Sequence, residues 1–343
     1  MFKILNQMKL IIILFLTTFF GGACSLNSTG PEDESGHPEA KSLAIGSLNQ
    51  VFVATTEGLF QSVDNGETWK PLDNFRSGLV SVSPSGTIYS THYFSDGKYT
   101  SKETLWRSTD GGNSFQPTGW VKNKSVFGLS WLTFNNQEHM FGWVYLSGLY
   151  RSTSQGASWE KLSVGGLNLK PLIAPDDIFI AIDDGIYRSS DNGDNWINVL
   201  ELKGKSGDTS YSFGALAFNS NGEVFAGINA WHFLGDSVET GMIYYSDDNG
   251  NNWIKTAALN SDISHLAVNS EDNIFAITKL NEVFSSTNNG VNWNRVGAIF
   301  PEESIRKIII NSKDHLFINT VGNQANHVYR SLNDATTWEQ IWP

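Results

Sequence analysis

The chain predicts an all-β fold, a seven-bladed β-propeller of four-stranded antiparallel blades, and three observations carry that prediction. An eight-residue phrase, Ser-x-Asp-x-Gly-x-(Thr/Asn/Ser)-Trp, returns seven times, beginning at Ser62, Ser108, Ser152, Ser189, Ser246, Ser286 and Ser331. The intervals of 46, 44, 37, 57, 40 and 45 residues match the period of a propeller blade. An aliphatic–aromatic pair precedes each phrase: Val51-Phe52, Ile88-Tyr89, Met140-Phe141, Ile178-Phe179, Val224-Phe225, Ile274-Phe275 and Leu316-Phe317.

Each repeat reads as four strands. An inner apolar run such as Ile308-Ile309-Ile310 ends in a polar turn, Asn311-Ser312, and leads into the strand that carries the aromatic pair. A third strand enters the phrase and a fourth leaves it, with turn residues at short spacing between them. The phrase itself is a tight turn. Gly66, Gly112, Gly156, Gly193, Gly250 and Gly290 supply a positive φ. The Ser and Asp side chains, with Asp64, Asp110, Asp191 and Asp248 the intact acids, bond backbone N–H groups within the turn. The closing aromatic, Trp69, Phe115, Trp159, Trp196, Trp253, Trp293 or Trp338, wedges between neighbouring sheets. The phrase drifts at Ser154, Asn288 and Asn333 in place of Asp, and at Ala335 in place of Gly.

On those residues the repeat resembles the Asp-box, or BNR repeat, of sialidases, sortilin-type receptors, xyloglucan-processing glycosidases and photosystem II assembly factors. The resemblance covers nearly all of residues 41–343 and implies the propeller fold. It implies no single activity, because those families do unrelated things.

Residues 1–23 read as a signal peptide. Lys3 and Lys9 form a basic start, and Leu10–Phe20 is an apolar run suited to an h-region and short for a membrane span. Gly21-Gly22-Ala23 then precede Cys24, the only cysteine. This is similar to a bacterial lipoprotein signal, with Gly21 standing where Leu is usual, and implies that Cys24 is lipidated. The alternative is an ordinary secretory signal with an incidental cysteine. Residues 24–40 form a polar, acidic tether lacking Phe, Tyr and Trp, which cannot build a core. The expected place is therefore the bacterial cell envelope, lipid-anchored, and no disulfide is available to the propeller.

The net charge is −12, and −14 without Lys3 and Lys9. An acidic chain with no basic stripe excludes nucleic acid as a natural partner. No cofactor is implied. His92, His232 and His327 are isolated and have no metal-ligand spacing.

Loop length is the asymmetry that bears on function. From the second-strand aromatic to the next Ser of the phrase the distances are 10, 19, 11, 10, 21, 11 and 14 residues. Repeats two, five and seven thus carry insertions between their second and third strands. The links after Phe115 and Trp196 are long as well. In an up-and-down blade both kinds of connection emerge on one face, and the recurring turns lie on the other. The insertions and links bring Tyr93, Phe94, Tyr99, Trp120, Tyr211, Trp231 and Phe233 to that face. Tyr93, Tyr99, Trp120, Trp231 and Phe233 are taken as candidate ligand-binding residues, since aromatics with polar edges suit sugar faces or a protein hot spot.

The catalytic readings are weaker. Sialidases use three convergent arginines, but Arg107, Arg151, Arg188 and Arg330 all occupy one repeating position before the Ser of the phrase, as a scaffold residue would. A glycoside hydrolase needs two facing carboxylates; Asp183, Asp184, Glu302 and Glu303 are the candidates on the loop face. No residue is assigned as catalytic. The reading is a binding or scaffold propeller for an envelope protein or glycan, with an Asp-box glycosidase as the alternative. A membrane-complex assembly factor like the photosystem II propellers is a third reading. With the first inner strand near Ser42 and the last outer strand ending at Trp342, the ring is expected to close by blade packing and not by strand exchange.

Overall fold

In the computed structural model the chain falls into two compact units, Met1–Gly36 and His37–Pro343. The structure describes residues 38–95, 101–123, 128–164, 170–174, 177–182, 185–202, 209–232, 240–297, 303–322 and 326–342, all in the second unit. Cys24, the signal segment and the tether as far as residue 37 lie outside the described residues; of the tether's last residues, Ala40 instead opens the first strand of blade 1 and is fully buried.

Seven four-stranded antiparallel sheets follow one another along the chain, each with its strands hydrogen-bonded in sequence order. Blade 1 runs from Ala40–Ile45 to Lys70–Asp73, blade 2 from Ser77–Val82 to Gln116–Asn123, and blade 3 from Leu129–Phe134 to Glu160–Lys161. Blade 4 runs from Lys170–Ile173 to Ile197–Glu201, and blade 5 from Thr209–Phe218 to Ile254–Ala258. Blade 6 runs from Ile263–Val268 to Asn294–Val296, and blade 7 from Glu303–Ile310 to Glu339–Trp342. The described elements include no helix.

The second strand of each blade explains the aromatic pairs. Val51–Thr55, Met140–Val144, Ile178–Ile182 and Ile274–Thr278 are buried at every position, because both faces of a blade pack on neighbours. The seven aromatics Phe52, Tyr89, Phe141, Phe179, Phe225, Phe275 and Phe317 are among the largest fully buried side chains. Each contributes roughly 2–3 kcal/mol of hydrophobic stabilisation. The apolar side chains form seven clusters, one at each junction between successive blades.

Every closing aromatic of the recurring turn enters the cluster shared with the preceding blade. Trp69 joins the blade 7–blade 1 cluster, Phe115 the next, then Trp159, Trp196, Trp253, Trp293 and Trp338 in order. The turn glycine presses on the same neighbour. Gly66 has φ +96°, and a Cβ there would overlap Ile341 of blade 7. Asn65, just before it, also has positive φ, 59°. Asn is the side chain that tolerates this region best after Gly, which accounts for Asn192, Asn249 and Asn289 at the same place. The sequence shows these Asn residues, but their backbone role was not anticipated from it.

The ring closes as expected: among the described residues no strand is exchanged between the first and last blades. Trp342 instead packs its indole against Phe60 and Trp69, with ring centroids 4.9 and 5.1 Å apart, and donates to the Pro38 carbonyl at 2.9 Å.

The insertions take a different form from the one expected. In blades 2 and 5 the described part of each insertion continues the sheet. The second strands Ile88–Ser95 and Val224–His232 have 8 and 9 residues, against 5 in blades 1, 3, 4 and 6. In blade 2 the third and fourth strands lengthen with the second, to 8 residues each, and in blade 5 the first strand does, to 10, so blade 2 extends beyond blade 1 at the loop face.

Candidate functional site

The extended end of blade 2 gathers four rings on one side of its sheet. Residues directly opposite in antiparallel strands share a face, so the pairs His92–Thr104, Phe94–Lys102 and Ser90–Trp106 put His92, Phe94 and Trp106 on the side that faces blade 1. Phe75, in the link from blade 1, completes the group. His92 lies near-parallel to Phe75 (centroids 4.9 Å, 22°) and to Trp106 (5.2 Å, 18°). Phe94 stands 5.8 Å from Phe75 and 6.2 Å from Trp106. Beneath them Phe115 comes within 6.1 Å of His92.

The base of this cluster is buried and polar. His92 is 0% exposed, and its Nε2 lies 3.2 Å from Asp73 Oδ2, close enough for an ion pair but without hydrogen-bond alignment. Asp73 Oδ1 accepts from the backbone of Leu59 and Phe75 at 3.1 and 3.2 Å, which fixes the link that carries Phe75. The rim is open. Phe75 and Phe94 are 41 and 38% exposed; with Tyr93, 40% exposed on the other face of the sheet, they are the only aromatics among the large apolar side chains exposed in the described residues. Such a surface offers ring faces and edges to a ligand with apolar C–H faces.

The candidate residues fare differently. Tyr93 is 40% exposed but, paired with Glu103, lies on the opposite face of the sheet from His92 and Phe94. Trp120 lies on the outer strand Gln116–Asn123, 4% exposed, with its ring against Tyr150 and Trp159 at 5.5 and 5.1 Å. Glu103 accepts from its indole N–H at 3.4 Å and from the Leu129 backbone at 2.8 Å. Trp120 is therefore part of the blade 2–blade 3 packing, because the outer strand lengthened along with the inserted hairpin. Trp231 lies on Val224–His232, opposite Ser210. Tyr99 and Phe233 lie outside the described residues. Phe75 and Trp106 were not singled out from the sequence; Phe75 stands in a short link with nothing unusual about its spacing.

The carboxylates of the loop face are engaged individually. Glu303 accepts from His327 Nδ1 at 2.9 Å, from Tyr329 at 3.0 Å and from Thr320. Burial, then the Glu303 charge, pushes the Tyr329 phenol up. Asp262 accepts from Lys279 at 2.8 Å and from Thr240. Asp183, Asp184 and Glu302 lie outside the described residues. Among the described residues no three His, Cys, Asp or Glu side chains gather as a metal site.

On the opposite face the recurring turns are self-contained. In the first, Ser62 donates to Asp64 at 2.7 Å and accepts from the Gly66 N–H at 2.7 Å. Asp64 also accepts from the Thr68 N–H and hydroxyl at 2.9 and 2.6 Å. Asp110, Asp191 and Asp248 repeat the pattern. These bonds hold the carboxyls of Asp64, Asp110 and Asp191 down at about 2. Both carboxylate oxygens of these acids accept hydrogen bonds from within their own turn, which suits a structural element.

Comparison with known proteins adds four likenesses. A family model described as DUF6242 beta propeller domain matches residues 237–342. A curated xyloglucanase from Paenibacillus sp. is 21% identical over 281 residues, covering 66% of this chain, and the chain spans 26% of that protein's length. Among solved structures, "YCF48 bound to D1 peptide" superposes with a TM-score of 0.62 at 17% identity, covering 87% of this chain and 94% of that one. The GH74 xyloglucanase from Xanthomonas campestris gives 0.63 at 14% identity, over 90% of this chain and 55% of its own. At these identities the superpositions show the shared fold, a seven-bladed propeller.

Proposed function

We propose that the protein is a non-catalytic binding propeller of Asp-box type, held at the cell envelope through a lipidated Cys24, whose loop face binds a neutral glycan at the aromatic end of blade 2. The observation that carries this reading is the pairing of the exposed rings of Phe75 and Phe94, 5.8 Å apart, at the extended end of blade 2. These rings, tilted 53° to each other, offer apolar surface to the C–H faces of sugar rings. A buried Asp73–His92 pair beneath them keeps the platform in place. The 21% identity to a xyloglucanase makes xyloglucan oligosaccharide the first probe.

The test is calorimetric titration of a xyloglucan oligosaccharide panel into the protein and into Phe75→Ala and Phe94→Ala. Binding that each substitution weakens at least tenfold supports the reading. No binding by the unaltered protein, or binding indifferent to both substitutions, overturns it. Release of new reducing ends would favour the glycosidase reading.

A peptide is the second reading, favoured by the likeness to a structure titled as a YCF48 propeller bound to a D1 peptide, 94% of which this chain covers. A peptide array read against Phe94→Ala separates the two.

A further inference from the structure

Blade 7 carries a lysine on its inner strand, at the register position held by Ser42, Lys170, Ala215 and His265 in blades 1, 4, 5 and 6. Lys307 sits in the strand Glu303–Ile310, followed by Ile308, Ile309 and Ile310. It lines a cavity of about 350 Å³ in the central channel, walled by Ile45, Val82, Ala267, Val268 and Ile309 with Ser81. That volume falls within the range of small-molecule sites. The ammonium donates to the Leu43 carbonyl of blade 1 at 2.9 Å. Among the described residues no carboxylate lies within ion-pair distance of it. Burial pulls it down to about 8. At pH 7 the group is thus still mainly charged, and a charge in apolar surroundings gains from an anionic partner.

A second, independent feature lies beside it. Asn319 is directly opposite Lys307 in the antiparallel register, on the same face of the sheet. It is 1% exposed, and neither its Nδ2 nor its Oδ1 has a hydrogen-bond partner among the described residues. The corresponding positions in the other blades are Ala54, Thr91, Trp143, Ala181, Gly227 and Ile277, so none of them carries an amide. An unmade amide hydrogen bond in a buried site is costly unless something fills it.

We propose that the channel beside blade 7 is a binding site for an aliphatic carboxylate, its head held by Lys307 and Asn319 and its tail by Ile45, Val82, Val268 and Ile309. A carboxylate accepts from both the ammonium and the amide, with a charge-assisted bond from the former. The five apolar walls leave no charged group to favour a second ionic end. The site opens toward the recurring turns, through the adjoining space lined by Ser47, Ser83, Pro84 and Phe134. It is thus separate from the aromatic end of blade 2, and Phe94→Ala leaves it intact.

The experiment is calorimetric titration of the full chain with octanoate and, as the uncharged control, octanol. One octanoate is expected to bind per chain, at least tenfold more tightly than octanol. Lys307→Met weakens octanoate at least tenfold and Lys307→Arg by no more than a few-fold. Asn319→Asp supplies the ammonium with a built-in counter-ion, so it abolishes octanoate binding while raising the melting temperature; this variant tests the proposal even if Lys307→Met fails to fold. Equal binding of octanoate and octanol, no octanoate binding at millimolar concentration, or full octanoate affinity in Asn319→Asp would each overturn it.

Discussion

Arg330 of the last blade donates to the backbone carbonyl of Asn65 in the first blade's turn, at 2.9 Å, and so bolts the two ends of the ring together. The same bolt recurs between other blades: Arg151 donates to the Asn192 carbonyl at 2.6 Å and Arg188 to that of Asn249 at 2.5 Å. Arg330 is 4% exposed and adds Glu67 and Glu339 at 2.7 and 2.5 Å, both of them more than half exposed. Replacing it by Ala removes charge-assisted hydrogen bonds and leaves exposed acids that water can solvate. The expected loss is about 2 kcal/mol in urea unfolding. Arg330→Lys should lose nearly as much, since a single ammonium cannot span three partners. A loss below ~0.5 kcal/mol would contradict the role in closure.

Acid should loosen the recurring turns in a defined window. Asp64, Asp110 and Asp191 have carboxyls lowered to about 2 by the bonds from Thr68, Ser114 and Asn195 and from the serines of the turn. A carboxyl depressed in the folded state contributes stability that is present above its unfolded value, about 3.9, and lost as pH falls toward 2. Unfolding midpoints measured from pH 5 to pH 2 should therefore fall steadily. Asp64→Asn, which copies Asn288 and Asn333 in the turns of blades 6 and 7, should fold and flatten that slope. An unchanged slope would show that Asp64 is not among the groups responsible.

A gap in a second ring of bonds predicts a stabilising change. Where first and second strands meet, a serine of one blade bonds the acid or amide of the next. Ser220 donates to Asp272 at 2.8 and 2.7 Å, Ser270 to Asp314 at 2.8 and 2.6 Å, and Ser312 to Asn49 at 3.0 and 2.9 Å. In blade 2 the acceptor position is Gly86, with φ +88°, and a Cβ there would lie 3.2 Å from the hydroxyl oxygen of Ser47. Asn49 holds the matching place with φ 63°. Gly86→Asn should supply the missing acceptor and reduce the freedom of the unfolded chain, raising stability by about 0.5 kcal/mol. A lower melting temperature would refute this.

The fold was legible because the recurring turn marks each blade once and the aromatic pair marks its most buried strand. Both are local patterns fixed by backbone geometry and two-sided burial. The site was legible only in part. Counting from Tyr89 to Ser108 exposed the insertion, but whether inserted residues form loop or sheet depends on pairing with strands far along the chain. Trp120 was placed on a loop for that reason, whereas it packs inside on a lengthened strand. Lys307 escaped notice because Ile-Arg-Lys-Ile reads as ordinary alternation. Which of two adjacent cations faces the channel is set by the bulge between Ile305 and Lys307, which no pattern in the strand announces.

The junction between blades 5 and 6 depends on one amide in a way that pH can expose. Asn229, 2% exposed, accepts from the Ile263 N–H at 2.7 Å and donates to the Ile263 carbonyl at 2.9 Å. Asn229→Leu is expected to orphan two buried backbone groups, costing about 3 kcal/mol. Asn229→Asp is the sharper test. Ionised, the carboxylate keeps the acceptor but turns a second oxygen toward the Ile263 carbonyl; protonated, it regains a donor. Its folded-state carboxyl should therefore be raised, so that stability is present below the unfolded value and lost as pH rises through the folded one. Thermal unfolding of Asn229→Asp should approach that of the unaltered protein near pH 4 and fall away from it by pH 7. A deficit that does not vary with pH would mean that the donor side of Asn229 contributes nothing to holding the two blades together.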